Sequence, residues 1–246
     1  MSITAIIPAR MDSTRFPGKI LANATGMPLI QHVYEQTKKA TLIDRIIVAT
    51  DDRRIEQAVR EFGGEAIMTR SDHPNGTSRI AEVVEGLDSE IIVNVQGDEP
   101  QMDPGLIDVT VQALLDHPDV PMATLASPFA SHENPQDPNL VKAWVDVHGL
   151  AKLFSRSHTP DHLPPDVVSE ALKHIGLYIY RATFLPIYLN LEPTPLEQAE
   201  RLEQMRVLEH GFSIVVAKGD VTSRGVDTPE DYEAFVAWYR KHGTEA

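Results

Sequence analysis

Residues 46–69 read IIVATDDRRIEQAVREFGGEAIMT, and their pattern decides the architecture. A short apolar run, IIVAT, is followed by RRIEQAVREFGG, whose apolar residues recur at helical spacing before a glycine stop. A second short run, EAIMT, comes next. Apolar strands that alternate with amphipathic helices predict a parallel sheet covered on both faces. The alternation extends in both directions. TAIIPA and a helix from Pro28 to Lys39, carrying Leu29, Ile30, Val33 and Tyr34 on one face, come before it. A helix from about Thr77 to Leu87, the strand IIVNV at residues 91 to 95 and a helix from Pro104 to Leu115 come after it. The expected fold class is α/β, with a mostly parallel sheet and helices on both faces. Ligands of such sheets bind beyond the carboxyl ends of the strands, with phosphates at helix N-termini.

After Pro121 the pattern changes. MATLASPF, VKAWVDVHG, AKLFSR and the longer KHIGLYIYR (residues 173 to 181) read as strands without intervening helices, separated by the proline-rich loops ASHENPQDPN and SHTPDHLPPD. Residues 121–194 are therefore expected to form a smaller, largely antiparallel insertion, either a substrate lid or a dimer surface. A helix from Pro195 to Glu209, the strand SIVVAK and a final helix from Pro229 to Lys241 return the chain to the main domain, expected over residues 1–120 and 195–246.

Composition narrows the functions available. The 246 residues include 22 Lys or Arg and 36 Asp or Glu, a formal net charge of −14. That field repels nucleic acid and anionic membranes, so neither is an expected partner, and any anionic ligand must be drawn in by a local patch. No cysteine is present, which excludes disulfides, thiolate catalysis and thiolate metal sites and fits a reducing compartment. The N-terminal MSITAIIPAR does not have the pattern of a signal peptide, and no apolar stretch approaches a membrane span of about 18 residues. A cytoplasmic protein is expected.

The local patch is conspicuous. Residues 6 to 19, IIPARMDSTRFPGK, place Arg10, Arg15 and Lys19 in one loop at a strand end, against a single acid, Asp12. Arginine forks suit non-bridging phosphate oxygens, lysine is a mobile point charge, and Ser13, Thr14 and the backbone N–H groups near Gly18 could complete a cradle. A polyphosphate site is one reading and a solvated surface loop the other. Neither G-x-G-x-x-G nor G-x-x-x-x-G-K-[ST] occurs, which argues against an ordinary dinucleotide dehydrogenase or P-loop ATPase. Two acids lie where a metal-bound triphosphate would need them. Asp98, in QGDEP, follows IIVNV. Asp227, in GVDTPED, precedes a helix with Thr228 at its N-cap and Pro229 at its first position. A hard divalent cation on a triphosphate takes one or two protein carboxylates plus phosphate and water oxygens. Read alone, Asp98 could instead be a turn-stabilising acid and Asp227 a helix cap.

Taken together, IPARMDSTRFPGK, TRSDHPNGTSRIAEV, VNVQGDEP, FSR, HIGLYIYR, PLEQAERLEQMRVLE and GVDTPEDY resemble, in order, the blocks of the 3-deoxy-manno-octulosonate cytidylyltransferases. The opening pattern of that family is close to IPAR-x-x-STR-x-PGK. The resemblance implies a nucleotide-diphospho-sugar transferase-like fold. It implies a reaction in which CTP and a 3-deoxy-octulosonate give the CMP-sugar and pyrophosphate, for lipopolysaccharide biosynthesis, with Mg²⁺ as cofactor and a homodimer as the assembly. Residues 1–120 and 195–246 would then bind the nucleotide, and residues 121–194 the sugar or a second subunit.

Site residues implied by the resemblance fall into groups. Arg10, Lys19, Asp98 and Asp227 are expected to be catalytic, with Asp98 and Asp227 holding the metal. Ala9, Arg10, Ser13, Arg15, Lys19, Gly76, Arg79 and Gln96 are expected at CTP, the turn at Gly76 reading cytosine through its backbone. Gln96, Arg156, His174, Tyr178, Glu203 and Gln204 are expected at the sugar acid, with Arg156 the natural carboxylate clamp. From pattern alone, His174 and Tyr178 could simply pack, and Glu197, Glu200 and Glu203 could form a solvated acidic helix face.

The chain departs from the family twice. The family usually has an acid where this chain has Ser78, and often serine where it has Asn75. After FSR the family commonly has an Ile-Pro-aromatic segment, whereas Ser157–Glu170 here carries Asp161, Asp166 and Glu170 without Lys or Arg. An acidic lid of this kind would favour an amino group on the sugar tail. An 8-amino-octulosonate or sialic acid substrate therefore stays open beside the ordinary octulosonate, as does a catalytically silent nucleotide-binding homologue.

Overall fold

Strand β1 (Ile3–Ala9) pairs in parallel with β2 (Arg45–Thr50) on one side and β4 (Ile91–Asn94) on the other, and β3 (Glu65–Met68) pairs with β2. The strand order in this part of the molecule is β3-β2-β1-β4. Ile6, Ile7, Ile47, Val48, Ile92 and Val93 have no exposed surface. Burial on both faces is why these strands read as unbroken Ile and Val runs rather than as alternating ones. Helices α1 (Leu29–Thr37), α2 (Arg53–Glu61) and α3 (Gly76–Val84) are the crossovers. The chain steps outward from β1 to β2 to β3 and then returns past β1 to β4. With right-handed crossovers, α1 and α2 cover one face and α3 the other. The reversal makes the carboxyl ends of β1 and β4 the switch point, where a ligand crevice opens in sheets of this type.

The computed structural model describes residues 1–160, 163–167, 170–221 and 224–243. It divides into two compact units, Met1–Ile107 with Thr222–Ala246, and Asp108–Val221. Residues 108–120 and 195–221, which the sequence pattern assigns to the larger domain, group with the second unit. Helix α4 (Pro104–Leu115) runs across the first boundary, and α8 (Pro229–His242) belongs to the first unit.

The second unit has the strand order β7-β6-β8-β5-β9, formed by β5 (Met122–Ser127), β6 (Lys142–Val145), β7 (Ala151–Ser155), β8 (Leu172–Arg181) and β9 (Ile214–Lys218). Its pairs are antiparallel except β5 with β9. Helix α5 (Leu185–Leu189) follows β8 and carries no predicted counterpart, being only five residues long. The helix expected over Pro195–Glu209 is two helices, α6 (Pro195–Glu200) and α7 (Gln204–Glu209), broken at Arg201, whose φ is +54°. The apolar LYIY segment, residues 177 to 180, reads in the sequence as a strand face that a small insertion could leave for a second subunit to cover. It is enclosed by its own chain instead, with Leu177 and Ile179 fully buried and Tyr180 nearly so. The sheet packing of β8 supplies what the sequence pattern could not show. Among the described residues, no helix is long and apolar enough to cross a membrane.

In the divergent loop, Asp161 lies outside the described residues. Asp166 ion-pairs with Lys152 of β7 at 2.7 Å, and the ammonium holds its carboxyl below the usual range through their hydrogen bond. Its charge is therefore answered locally, which weakens the case for a lid presenting free acid to a ligand.

Candidate active site

The loop after β1 is closed by its own backbone. Gly18 N–H donates to Met11 O at 3.1 Å, and Gly18 takes φ +73°, a conformation that favours glycine and directs Lys19 inward at the start of a short 3₁₀ turn. Phe16 packs on Tyr232 of α8 with ring centroids 5.6 Å apart, and Ser13 Oγ accepts from Phe16 N–H. The cations then take different positions. Arg10 is exposed. Arg15 reaches Asp227 at 3.0 Å. Lys19 is buried, and its Nζ donates to Asp98 Oδ2 at 2.7 Å, Asp227 Oδ1 at 3.3 Å and Val226 O at 2.8 Å. An ammonium has three N–H donors, so Lys19 is fully committed.

Asp98 and Asp227 are thus brought together. Asp98 follows a tight approach of the β4 loop to the end of β1: a Cβ at Gly97 would lie 2.8 Å from Pro8 O, so no larger residue fits there. Val226 N–H donates to Asp98 O at 2.8 Å and fastens the segment before α8 to this loop. Asp227 is not the helix cap. Thr228 Oγ1 accepts from Asp231 N–H, while Asp231 Oδ2 accepts from the N–H groups of Thr228 and Asp227. With the capping done by Thr228 and Asp231, the Asp227 carboxylate is left to face the cations.

Two carboxylates converging on one ammonium describe a place built for positive charge, with the Lys19 Nζ as the stand-in. Among the described residues, no group of three or more His, Cys, Asp or Glu side chains could hold a metal ion. A divalent cation here would take two hard oxygen ligands from the protein and the rest from phosphate and water, the arrangement common for Mg²⁺ with a nucleotide. The residues present fit such an ion.

The turn at Asn75–Arg79 opens α3 beside the same strand end, where a Cβ at Gly76 would lie 3.3 Å from Pro8 Cγ. Asn75 Oδ1 accepts from Ser78 N–H at 2.8 Å, and Ser78 Oγ donates to Asn75 O at 2.9 Å. Arg79, expected near the base, points inward. It is buried, pairs with Asp51 at 3.2 Å and donates to Thr69 Oγ1. It therefore ties α3 to the ends of β2 and β3. Gln96 Nε2 donates to Asn94 Oδ1 at 3.1 Å.

In the second unit, His174, Tyr178 and Gln204 form one cluster. The His174 and Tyr178 rings lie 5.5 Å apart, His174 Nε2 meets Thr124 Oγ1 at 3.0 Å, and Tyr178 OH donates to Gln204 Oε1 at 3.4 Å. Burial pushes His174 down to about 3, so its ring is neutral, and burial raises the Tyr178 phenol well above its ordinary value. Gln204 Nε2 is a buried donor with no hydrogen-bond partner. A buried orphan donor costs on the order of 1–3 kcal/mol, which a ligand oxygen would recover.

The row of acids is not a solvated face. Glu197 is buried and grips Arg206 at 2.5 and 2.8 Å, Glu200 accepts from Ser155 Oγ and Arg156 N–H, and Glu203 accepts from Tyr188 OH at 3.2 Å. Arg156 lies with Glu200, its Nε on Glu200 O at 2.9 Å and its Nη1 on Pro138 O at 3.1 Å. Two residues of this network, Glu200 and Lys142, whose Nζ donates to Arg156 O at 2.7 Å, are not among the expected site residues. A lysine inside the apolar run VKAWV is the signal that could have marked the second.

The chain is similar over its length to known proteins. A family model described as cytidylyltransferase matches residues 4–214. Two 3-deoxy-manno-octulosonate cytidylyltransferases are close relatives. That of Syntrophotalea carbinolica is 50% identical, over 94% of this chain and 96% of that protein. That of Geobacter metallireducens is 49% identical, over 96% of this chain and 97% of that protein. A solved structure described as CMP:2-keto-3-deoxy-manno-octonic acid synthetase complexed with CTP superimposes with a TM-score of 0.91 at 40% identity, over 98% of this chain and 99% of that one. The fold alone is shared with a 4-diphosphocytidyl-2C-methyl-D-erythritol synthase from Anaerococcus prevotii, TM-score 0.64 at 15% identity. The chain belongs to the 3-deoxy-manno-octulosonate cytidylyltransferase family.

Proposed function

We propose that this protein transfers the cytidylyl group of CTP to a 3-deoxy-octulosonate, releasing pyrophosphate, and that it serves lipopolysaccharide biosynthesis in the cytoplasm. The observation that carries the reading is the convergence of Asp98 and Asp227 on the Lys19 ammonium at the switch point of the parallel strands. A catalytically silent homologue has no physical need to hold two carboxylates against one cation there. In the reaction, the anomeric hydroxyl oxygen forms a bond to the α-phosphorus while the bond from that phosphorus to the β-bridging oxygen breaks. The hydroxyl proton passes to solvent, and no covalent enzyme intermediate is required.

Within this reading Asp98 and Asp227 would hold Mg²⁺. The ion would supply Lewis-acid charge that neutralises the phosphate and makes the sugar hydroxyl more acidic. Arg10, Arg15 and, once an ion takes over its place on Asp98 and Asp227, Lys19, with Ser13 and the backbone at Ala9, bind the triphosphate and answer the charge that builds on departing pyrophosphate. The N-terminal turn at Gly76 reads cytosine through backbone groups, with Gln96 beside it and Arg79 as the buttress. Arg156 takes the sugar carboxylate, while His174, Tyr178, Glu203 and Gln204 take hydroxyls, the unpartnered Gln204 Nε2 being the donor most in need of a ligand. A homodimer is part of the proposal. Its support is the family together with Val147, Ile187, Leu189 and Leu196, apolar side chains left exposed in the second unit.

The test is pyrophosphate release from CTP across a panel of 2-keto sugar acids. Release with 3-deoxy-octulosonate is expected. Asp98→Asn or Asp227→Asn should lower turnover by about a hundredfold, the scale seen when one electrostatic stabiliser is removed. Absence of release with every sugar acid would return the protein to the silent reading.

A further inference from the structure

Lys142 opens β6 and has no exposed surface. Among the described residues it forms no ion pair with a carboxylate. Its Nζ donates instead to two main-chain carbonyls, Asp137 O and Arg156 O, each at 2.7 Å. Burial lowers its pKa, which marks the ammonium as costly to keep. An apolar side chain at the start of a buried strand would avoid that cost, so the bonds themselves need a reason.

The reason lies in what the two carbonyls belong to. One is Arg156's own. The other, Asp137 O, is adjacent in sequence to Pro138 O, which accepts from Arg156 Nη1 at 3.1 Å. Lys142 and Arg156 therefore grip consecutive carbonyls of the same loop, and Lys142 also pins the Arg156 backbone from its carbonyl side. Glu200 fixes the other side, its carboxylate accepting from Arg156 N–H at 2.8 Å and its carbonyl from Nε at 2.9 Å. Arg156 is thus anchored at N–H, carbonyl, Nε and Nη1. These bonds spend two of the five guanidinium N–H donors and leave the Nη2 side of the fork for a carboxylate.

We propose that Lys142 is a positioning residue that sets the Arg156 guanidinium for the carboxylate of the sugar acid. The proposal rests on the reading of Arg156 as the carboxylate clamp. Removal of the ammonium frees the Arg156 carbonyl and the 137–138 loop together, so the fork loses its aim although it keeps its charge. A misplacement of about 1 Å in a positioning contact can cost about a hundredfold.

The experiment compares Lys142→Met, Arg156→Gln and the double variant, measuring KM for the sugar acid and for CTP separately. Lys142→Met is expected to raise the sugar-acid KM at least tenfold, to leave the CTP KM within twofold, and to add nothing further in the Arg156→Gln background. Because the chain has no cysteine, Lys142→Cys can be alkylated with 2-bromoethylamine in the unfolded state and refolded, with wild type carried through the same cycle. The resulting thialysine should restore the sugar-acid KM. If Lys142→Met does not fold, Lys142→Gln takes its place in the same comparison. An unchanged sugar-acid KM, an equal rise in the CTP KM, or a full additional loss in the Arg156→Gln background would overturn the proposal. If Arg156→Gln itself leaves the sugar-acid KM unchanged, the reading of Arg156 fails and takes this proposal with it, an outcome distinct from the other three.

Discussion

Asn75 caps α3 with its own side chain, and the partner of that bond is the other residue at which this turn departs from the family. Asn75 Oδ1 accepts from Ser78 N–H while Ser78 Oγ donates back to Asn75 O. A serine at 75 with an acid at 78 would join the same two residues by a capping box, with the serine oxygen on the N–H at 78 and the acid reaching back to the N–H at 75 in place of the carbonyl. The two departures are one exchange of cap for cap, so the backbone groups of the turn keep their positions. Asn75→Ala should therefore cost about 1 kcal/mol of stability, the usual value of an N-cap. The double variant Asn75→Ser with Ser78→Glu should recover wild-type stability and keep the CTP KM within twofold. Denaturant melts with parallel CTP titrations decide it. A tenfold rise in the CTP KM of the folded double variant would mean that these side chains, not the backbone, read the base.

At the scale of elements, the break between α6 and α7 runs against local pattern. PLEQAERLEQMRVLE contains no Gly, Pro or Asn after its first residue, yet Arg201 takes the left-handed conformation. A distant contact accompanies it. Glu200 O, which would bond Gln204 N–H in an unbroken helix, accepts from Arg156 Nε instead. A left-handed non-glycine residue costs about 1–2 kcal/mol, whereas in a helix interior alanine is better than glycine by about 1 kcal/mol. The break therefore predicts that Arg201→Gly is more stable than Arg201→Ala, by about 1 kcal/mol given those opposing costs. Chemical denaturation of the pair is sensitive to the sign, and alanine above glycine would restore the continuous helix. The contrast marks what sequence can disclose. Strands β1 to β4 and their helices were legible because periodicity and burial are local, whereas for Asp98 and Asp227 the local pattern left turn and cap roles open and only the resemblance pointed to a metal. The Lys19 ammonium between them was not legible, since its partners lie 79 and 208 positions away. Nor was the conformation of Arg201, which accompanies a contact 45 positions back in the chain, or the role of Lys142, whose place inside VKAWV is a signal but whose carbonyl partners carry no side-chain signature.

For the whole molecule, acid stability is governed in part by one neutral histidine in each unit. In the first, His32 meets Thr25 Oγ1 at 2.7 Å between the rings of Phe235 and Tyr239, and burial lowers its pKa from 6.5 to about 4. In the second, His174 meets Thr124 Oγ1 against Phe154, and burial lowers it to about 3. Both folded values lie below the ordinary 6.5. Between pH 6.5 and about 4 the unfolded chain therefore binds a proton at each position that the folded protein refuses. Stability is fully present above pH 6.5 and declines as pH falls, by up to about 1.4 kcal/mol per pH unit for each histidine. The carboxylates add their own acid sensitivity, so the decisive quantity is the slope and not the absolute stability. His32→Gln and His174→Gln should each remove about one proton from the slope of unfolding free energy against pH between 4.5 and 6, whatever they do to stability at pH 7. Urea titrations at closely spaced pH values measure that slope directly. A slope equal to wild type in either variant would mean that the histidine concerned is protonated in the folded protein at those pH values, and that its packing against Phe235 and Tyr239, or against Phe154, tolerates a charge.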